Sequence, residues 1–72
     1  MKICPYCEED GVWYVSIEQI PNEQYKMCFE CDTIWQRDEN VEYGKGKNYI
    51  TLMEEKKLKA DWNKIIKLRK VE

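Results

Sequence analysis

Cys4-Pro5-Tyr6-Cys7 and Cys28-Phe29-Glu30-Cys31 are the two stretches whose reading decides the fold. Each is a C-x-x-C turn, and twenty residues, Glu8 through Met27, separate them. Such a turn presents two thiolates to one side of a metal ion, and two turns complete a tetrahedral set of four. The segment between them is long enough to fold as a hairpin that carries the second pair to the far side of the ion. These four are all the cysteines in the chain, and there is no histidine. The pattern assigns Cys4, Cys7, Cys28 and Cys31 to one structural Zn2+ with no thiol left over. Iron in a rubredoxin-like site takes the same four thiolates, so the ligand set leaves both metals open. A redox dithiol would need a C-x-x-C opening a helix in a βαβ setting, whereas both pairs here read as hairpin turns.

At 72 residues the chain is long enough for one compact domain. A core of this size supplies roughly 3–5 kcal/mol, so small domains rely on staples. Structural zinc contributes about 10–16 kcal/mol, which appears as folding free energy. A Cys4 site is also coordinatively closed, which argues against a metalloenzyme. With no histidine, a single serine (Ser16) and every cysteine spent on metal, nothing in the sequence supports catalysis. Reduced thiols, cysteines starting at position four with no apolar leader before them, and no run of membrane-spanning length together predict a cytoplasmic protein.

Val12-Trp13-Tyr14-Val15-Ser16-Ile17 is β-branched and aromatic and predicts a strand with apolar groups on both faces. Pro21-Asn22-Glu23 is a turn signal, Gln24 to Met27 reads as the return strand, and Asp32 to Gln36 as a third, with Ile34 and Trp35 on opposite faces. The polar stretch 37–48, with Gly44-Lys45-Gly46-Lys47, reads as a loop. It lacks the spacing and the Ser/Thr of a phosphate-binding loop. Thr51 with Glu54 forms a capping box, and Leu58, Trp62, Ile65 and Ile66 fall on one helical stripe. The expected fold is therefore a small metal-stabilised α+β domain. A three-stranded antiparallel ribbon over residues 1–37 is followed by a loop over 38–50 and a C-terminal helical segment over 51–72. That segment is one irregular helix or two short ones with a bend near Lys59–Asp61.

Charge separates the two halves. Residues 1–43 carry ten acids against three bases, a net of −7, and residues 44–72 carry nine bases against four acids, a net of +5. An acidic, aromatic ribbon suits a basic protein partner through Glu8, Glu9, Asp10, Glu18, Glu23, Asp38, Glu39 and Glu42, with Tyr14 or Trp35 as anchors. The basic half suits nucleic acid through Lys45, Lys47, Lys56, Lys57, Lys64, Lys67 and Lys70, or pairs with the chain's own acidic ribbon. Tyr6, Trp13, Tyr14, Tyr25, Phe29 and Trp35 could stack bases. Stacking platforms sit in basic grooves, however, and this ribbon is acidic, which favours a core role for the rings.

Residues 4–35 resemble the zinc-ribbon superfamily, whose knuckles usually read C-P-x-C-G and C-x-x-C-G. Here Glu8 and Asp32 stand where the glycines normally relieve a left-handed backbone. The resemblance implies Cys4, Cys7, Cys28 and Cys31 as ligands, and a scaffold rather than a job. The layout as a whole, with Leu58-Lys59-Ala60-Asp61-Trp62 in the second half, looks like small stand-alone bacterial zinc-ribbon proteins. Some of these are encoded beside contact-dependent toxins and act as immunity proteins. That likeness implies a basic toxin domain, a nuclease among them, as partner.

Overall fold

A computed structural model describes residues 2–72; Met1, the first residue of the expected ribbon, lies outside the described residues. Strands β1 (Val12–Ile17), β2 (Ile20–Cys28), β3 (Thr33–Gln36) and β4 (Lys47–Asn48) precede helix α1 (Tyr49–Glu55). A 3-10 turn (Trp62–Lys64) and strand β5 (Ile65–Lys70) complete the chain. The strands form one antiparallel sheet in the order β4-β3-β2-β1-β5.

β1 spans the residues its composition predicts, and its two-residue period sorts side chains to the two faces. Val15 and Ile17 join Ile20, Tyr25, Met27 and Ile34 beneath α1, which contributes Tyr49, Leu52 and Met53. Val12 joins Cys4, Cys28, Trp35, Val41 and Val71 on the other face. The two faces meet opposite needs: a helix covers one, and the cysteine turns with the 37–46 loop cover the other. Trp35 Nε1 donates to Glu42 O at 3.2 Å and Lys26 Nζ to Glu39 O at 2.6 Å, which ties that loop down. Gly46 passes so close that a Cβ on it would stand 2.6 Å from Thr33 Cγ2 and 2.8 Å from the Trp35 ring.

The β1–β2 ladder runs from Val12↔Cys28 to Ser16↔Gln24 and then jumps to Ile17↔Ile20. Pro21, Asn22 and Glu23 therefore bulge out of the pairing, where a proline's missing N–H costs nothing. The chain itself reverses earlier, at Glu18–Gln19.

The expected three-stranded ribbon with a C-terminal helical segment is not what forms. The sheet has five strands, and the largest departure is the C-terminal stretch, where Ile65–Lys70 is a strand against β1. Helix α1 is only seven residues long and begins at Tyr49, inside the stretch expected to be loop. Its cap is Asn48, whose Oδ1 accepts from Ile50 N at 2.8 Å, and Thr51 lies inside the helix instead of capping it. A helix this short is marginal alone and depends on burying Tyr49, Leu52 and Met53. It stops because Lys57 turns left-handed (φ 59°). Lys57 N donates to Glu54 O and Leu58 N to Met53 O, the pair of bonds that closes a Schellman cap. Asp61 caps the next element, accepting from Asn63 N, but that element is only a 3-10 turn. The helical stripe therefore divides: Leu58 and Ile65 pack on the core beside α1, while Ile66 is exposed on the edge strand. The deciding term is main-chain pairing. β1 needs a second neighbour for its outer edge, and the β-branched Ile65-Ile66 pair supplies it.

Candidate metal centre

The two knuckles are near copies at the level of the backbone. Glu8 N donates to Cys4 O at 2.8 Å, and Asp32 N to Cys28 O at 2.9 Å. Each closing residue is left-handed, Glu8 at φ 63° and Asp32 at φ 60°. The chain thus keeps the glycine-type conformation without the glycine. The first knuckle is pinned by Cys4 N to Glu9 O, and the second by Phe29 N to Gly11 O.

These turns bring the four sulfurs within 4.8 Å of one another. Cys4 Sγ lies 3.6 Å from Cys31 Sγ, and Cys7 Sγ 3.5 Å from Cys28 Sγ, so the close pairs run between knuckles. No disulfide joins them. A tetrahedron of thiolates at about 2.3 Å from an ion has edges of about 3.8 Å. The cluster has that size, and its all-sulfur donors suit a thiophilic ion. These four residues can hold one metal ion, as the sequence expects. Cys4 and Cys28 are fully buried, and Cys7 and Cys31 half-buried, so protein covers two of the donors completely and two in part.

Charge control follows the same symmetry. Burial pushes the Cys4 and Cys28 thiols up, while turn amides oppose this: those of Cys7 and Tyr6 at Cys4, and those of Glu30 and Cys31 at Cys28. Burial also acts on Cys31, but there the Thr33 hydroxyl, 3.1 Å from its sulfur, the Thr33 amide and the neighbouring Cys4 and Cys28 thiols together outweigh it and hold the thiol lower. Thr33 is a participant that spacing alone does not reveal. The signal available was a hydroxyl two residues after a ligand, on the strand that leaves the knuckle.

Asp32 links the site to the rest of the fold. Its carbonyl accepts from Tyr49 N at 2.9 Å, and its carboxylate from Trp62 Nε1 at 3.2 Å. Trp62 packs edge-on against Tyr49, whose hydroxyl exchanges hydrogen bonds with the Asp61 main chain. On the other side Tyr6 stacks on Tyr43 at 4.8 Å and accepts from Gly44 N through its hydroxyl.

Most acids expected to meet a partner already face the chain's own cations. Asp10 pairs with Lys70, Glu18 with Lys64, Glu23 with Lys56, Glu42 with Lys45 and Asp38 with Arg37. Glu39 accepts from Gln36 N. The Lys56 ammonium and the Tyr25 hydroxyl hold the Glu23 carboxyl low. Among the described residues Glu8 and Glu9 enter no ion pair, and both are exposed, as is Glu30, which the sequence pattern does not single out. Trp35 is buried in the core and offers no surface anchor. Tyr14 is half-buried with Arg69 4.3 Å above its ring and Lys26 5.8 Å away. Of the basic residues, Lys67 lies over both Trp13 and Phe29, and Lys47 pairs with Glu55. Lys45, Lys56, Lys64 and Lys70 are the partners of the acids named above, and Lys57 caps α1.

A depression lined by Tyr25, Ile34, Trp35, Gln36, Glu39, Lys47 and Leu52 encloses about 180 Å³ including open solvent. Small-molecule sites usually need about 300–1,000 Å³. Among the described residues no helix is long and apolar enough to cross a membrane. No protein-family model, no curated protein and no solved structure matches this chain.

Proposed function

We propose that this chain is a non-enzymatic zinc-stapled binding protein whose knuckle end meets a basic surface on a protein partner. The carrying observation is the pairing pattern of its acids. Five of the expected contact acids face the chain's own cations, whereas Glu8 and Glu9 beside the cluster do not. Next to them lies the stacked Tyr6–Tyr43 pair, with Tyr43 75% exposed. Exposed aromatic rings at the same knuckle as unpaired carboxylates suit recognition of a cationic site. Nuclease sites are cationic because they hold phosphate, so neutralising a nuclease toxin is the reading this chemistry favours, in the manner of bacterial immunity proteins. The ion is zinc in this reading. A closed four-thiolate set leaves no open position for water or substrate, which supports a structural role.

Nucleic-acid binding through the basic half is the weaker reading. The sheet rings that could stack bases lie under the chain's own cations: Tyr14 under Arg69, and Trp13 and Phe29 under Lys67.

Native mass spectrometry of the protein expressed with its genomic neighbour tests the proposal, because metal content and stoichiometry are read from one spectrum. One zinc per chain and a stoichiometric protein complex is the expected result. The joint variant Glu8→Lys, Glu9→Lys and Glu30→Lys should then slow association at least tenfold at low salt. Zinc without a protein complex, or association kinetics indifferent to the three reversals, refutes the placement of the interface.

A further inference from the structure

β5 is the outermost strand on its side of the sheet, and its inner edge pairs with β1. Lys64 O accepts from Glu18 N, and Val71 N donates to Val12 O, so these two residues turn their main chain inward. Main-chain direction alternates along an antiparallel strand. Ile65, Lys67 and Lys70 therefore turn theirs outward, on either side of the bulge at Leu68. An outward row of N–H and C=O groups is a template for an added strand. Beside it Ile66 and Leu68 are 47% and 46% exposed. Ile65–Lys70 holds three cations and no acid, and among the described residues Lys67 and Arg69 enter no ion pair. β4, on the opposite edge, is two residues long and offers no comparable row.

We propose that the open edge of β5 binds an extended acidic-aliphatic segment of a partner protein, which adds to the sheet as a sixth strand. Its main chain completes the ladder, its carboxylates meet Lys67 and Arg69, and its aliphatic side chains cover Ile66 and Leu68. Charge selects this occupant over a second copy of the chain, which would set three cations against three. Lys67 and Arg69 are already held against aromatic rings, so less side-chain freedom is lost on binding. The edge is separate from the knuckle carboxylates, and failure of either proposal leaves the other standing.

Because Lys67 lies on the Trp13 face of the sheet and Arg69 on the Tyr14 face, the test titrates the zinc-loaded full chain with an end-capped peptide of about eight residues in which Glu-Glu-Val-Val occurs twice, so that both faces of the added strand carry carboxylates and valines. The same peptide with Lys for Glu and a thymidine oligonucleotide serve as controls. Saturable binding of the Glu peptide alone is expected, with amide exchange slowed at Ile65, Lys67 and Lys70. The Lys67→Glu, Arg69→Glu pair should weaken it roughly tenfold or more, and the milder Lys67→Gln, Arg69→Gln pair severalfold. The milder pair guards against loss of fold. No saturable binding up to about 1 mM overturns the proposal. Equal binding of the Lys peptide or of the oligonucleotide does so too, as does protection confined to the knuckles. Self-association of the chain that protects the same three amides would make a second copy the occupant and would equally overturn it.

Discussion

Among the described residues, three with side chains hold left-handed backbone, and replacing each with glycine should stabilise the protein at two of them and destabilise it at the third. Glu8, Asp32 and Lys57 lie at φ 63°, 60° and 59°. The left-handed region costs an ordinary L-residue about 1–2 kcal/mol, through contact of Cβ with the following carbonyl. Glycine removes that cost but gives up about 0.5–1 kcal/mol through its freer unfolded chain. Glu8 and Lys57 are exposed and enter no ion pair among the described residues, so little else changes there. Glu8→Gly and Lys57→Gly should each stabilise the zinc-loaded protein by about 0.5–1 kcal/mol. Asp32 differs. Aspartate tolerates this conformation, and its carboxylate accepts from Trp62 Nε1 at 3.2 Å, a bond that glycine deletes. Asp32→Gly should therefore destabilise by about 0.5–1.5 kcal/mol.

The assay is urea unfolding at fixed free zinc. In a domain of this size 1 kcal/mol also moves Tm by about 4–8 °C, so a thermal scan should give the same ranking. The contrast is more informative than any single value. If Glu8→Gly lowers stability, the glutamate side chain does something at the knuckle beyond tolerating its backbone. If Asp32→Gly raises stability as much as Glu8→Gly does, the link from knuckle to Trp62 carries no energy and the reasoning fails.

Metal removal should be more drastic. Chelation, or Cys28→Ser, should abolish the near-ultraviolet circular dichroism of the buried rings, and one equivalent of zinc should restore it in the wild type alone; a native-like spectrum without metal would contradict the staple. Adding zinc to the apo chain at neutral pH should release protons, because free thiols, with an ordinary pKa of about 8.5, are mostly protonated there and must ionise to ligate the ion, and a pH-indicator titration reads this directly. At the alkaline end Tyr25 should control stability. Burial, then its hydrogen bond to Glu23 and the charge of that carboxylate, raise its phenol above the ordinary value near 10. The folded state holds that proton more tightly than the unfolded chain, so the stabilisation is complete below pH 10 and declines as pH rises beyond it. Urea midpoints at pH 8 and pH 11 should differ in the wild type and converge in Tyr25→Phe; an equal drop in both would assign the loss elsewhere.

The cysteine cluster was legible because the code for it is local: a C-x-x-C turn sets two thiols side by side whatever surrounds it. β1 was legible for a similar reason, since Val12–Ile17 is β-branched and aromatic with a clear two-residue period. So was the opposition of Ile34 and Trp35, which fall in the two separate core clusters. The C-terminal strand was not, because Leu58, Trp62, Ile65 and Ile66 recur at helical spacing while their fate depends on β1, far earlier in the chain. Lys57 as a left-handed cap carries no glycine to announce it, so the end of α1 was invisible, and Asn48 competed with the more familiar Thr51–Glu54 box. Trp35, which the sequence offers both as a core ring and as a surface anchor, is a core ring. Nothing local in Thr33–Gln36 foretells that the 37–46 loop folds over it and takes its Nε1–H on Glu42 O.

The opposite charges of the two halves look at first like a statement about partners, but the fold answers much of it internally. Lys56 reaches Glu23, Lys64 reaches Glu18 and Lys70 reaches Asp10, all three from the basic half to the acidic ribbon. These pairs have partly exposed side chains, and each is worth about 0–1 kcal/mol and is screened by salt, so they do not hold the domain together. The two core clusters do that, together with the zinc ion of the proposed reading. What the pairs change is the surface that remains. They cancel charge along the flanks of β1, and among the charges they leave unpaired are the knuckle carboxylates of Glu8, Glu9 and Glu30 and the cations Lys67 and Arg69 on β5. A partner that reads charge therefore meets two poles of opposite sign. Raising salt should loosen binding at both poles while leaving the unfolding midpoint nearly where it was, because the free energy of folding and the free energy of recognition rest on different residues.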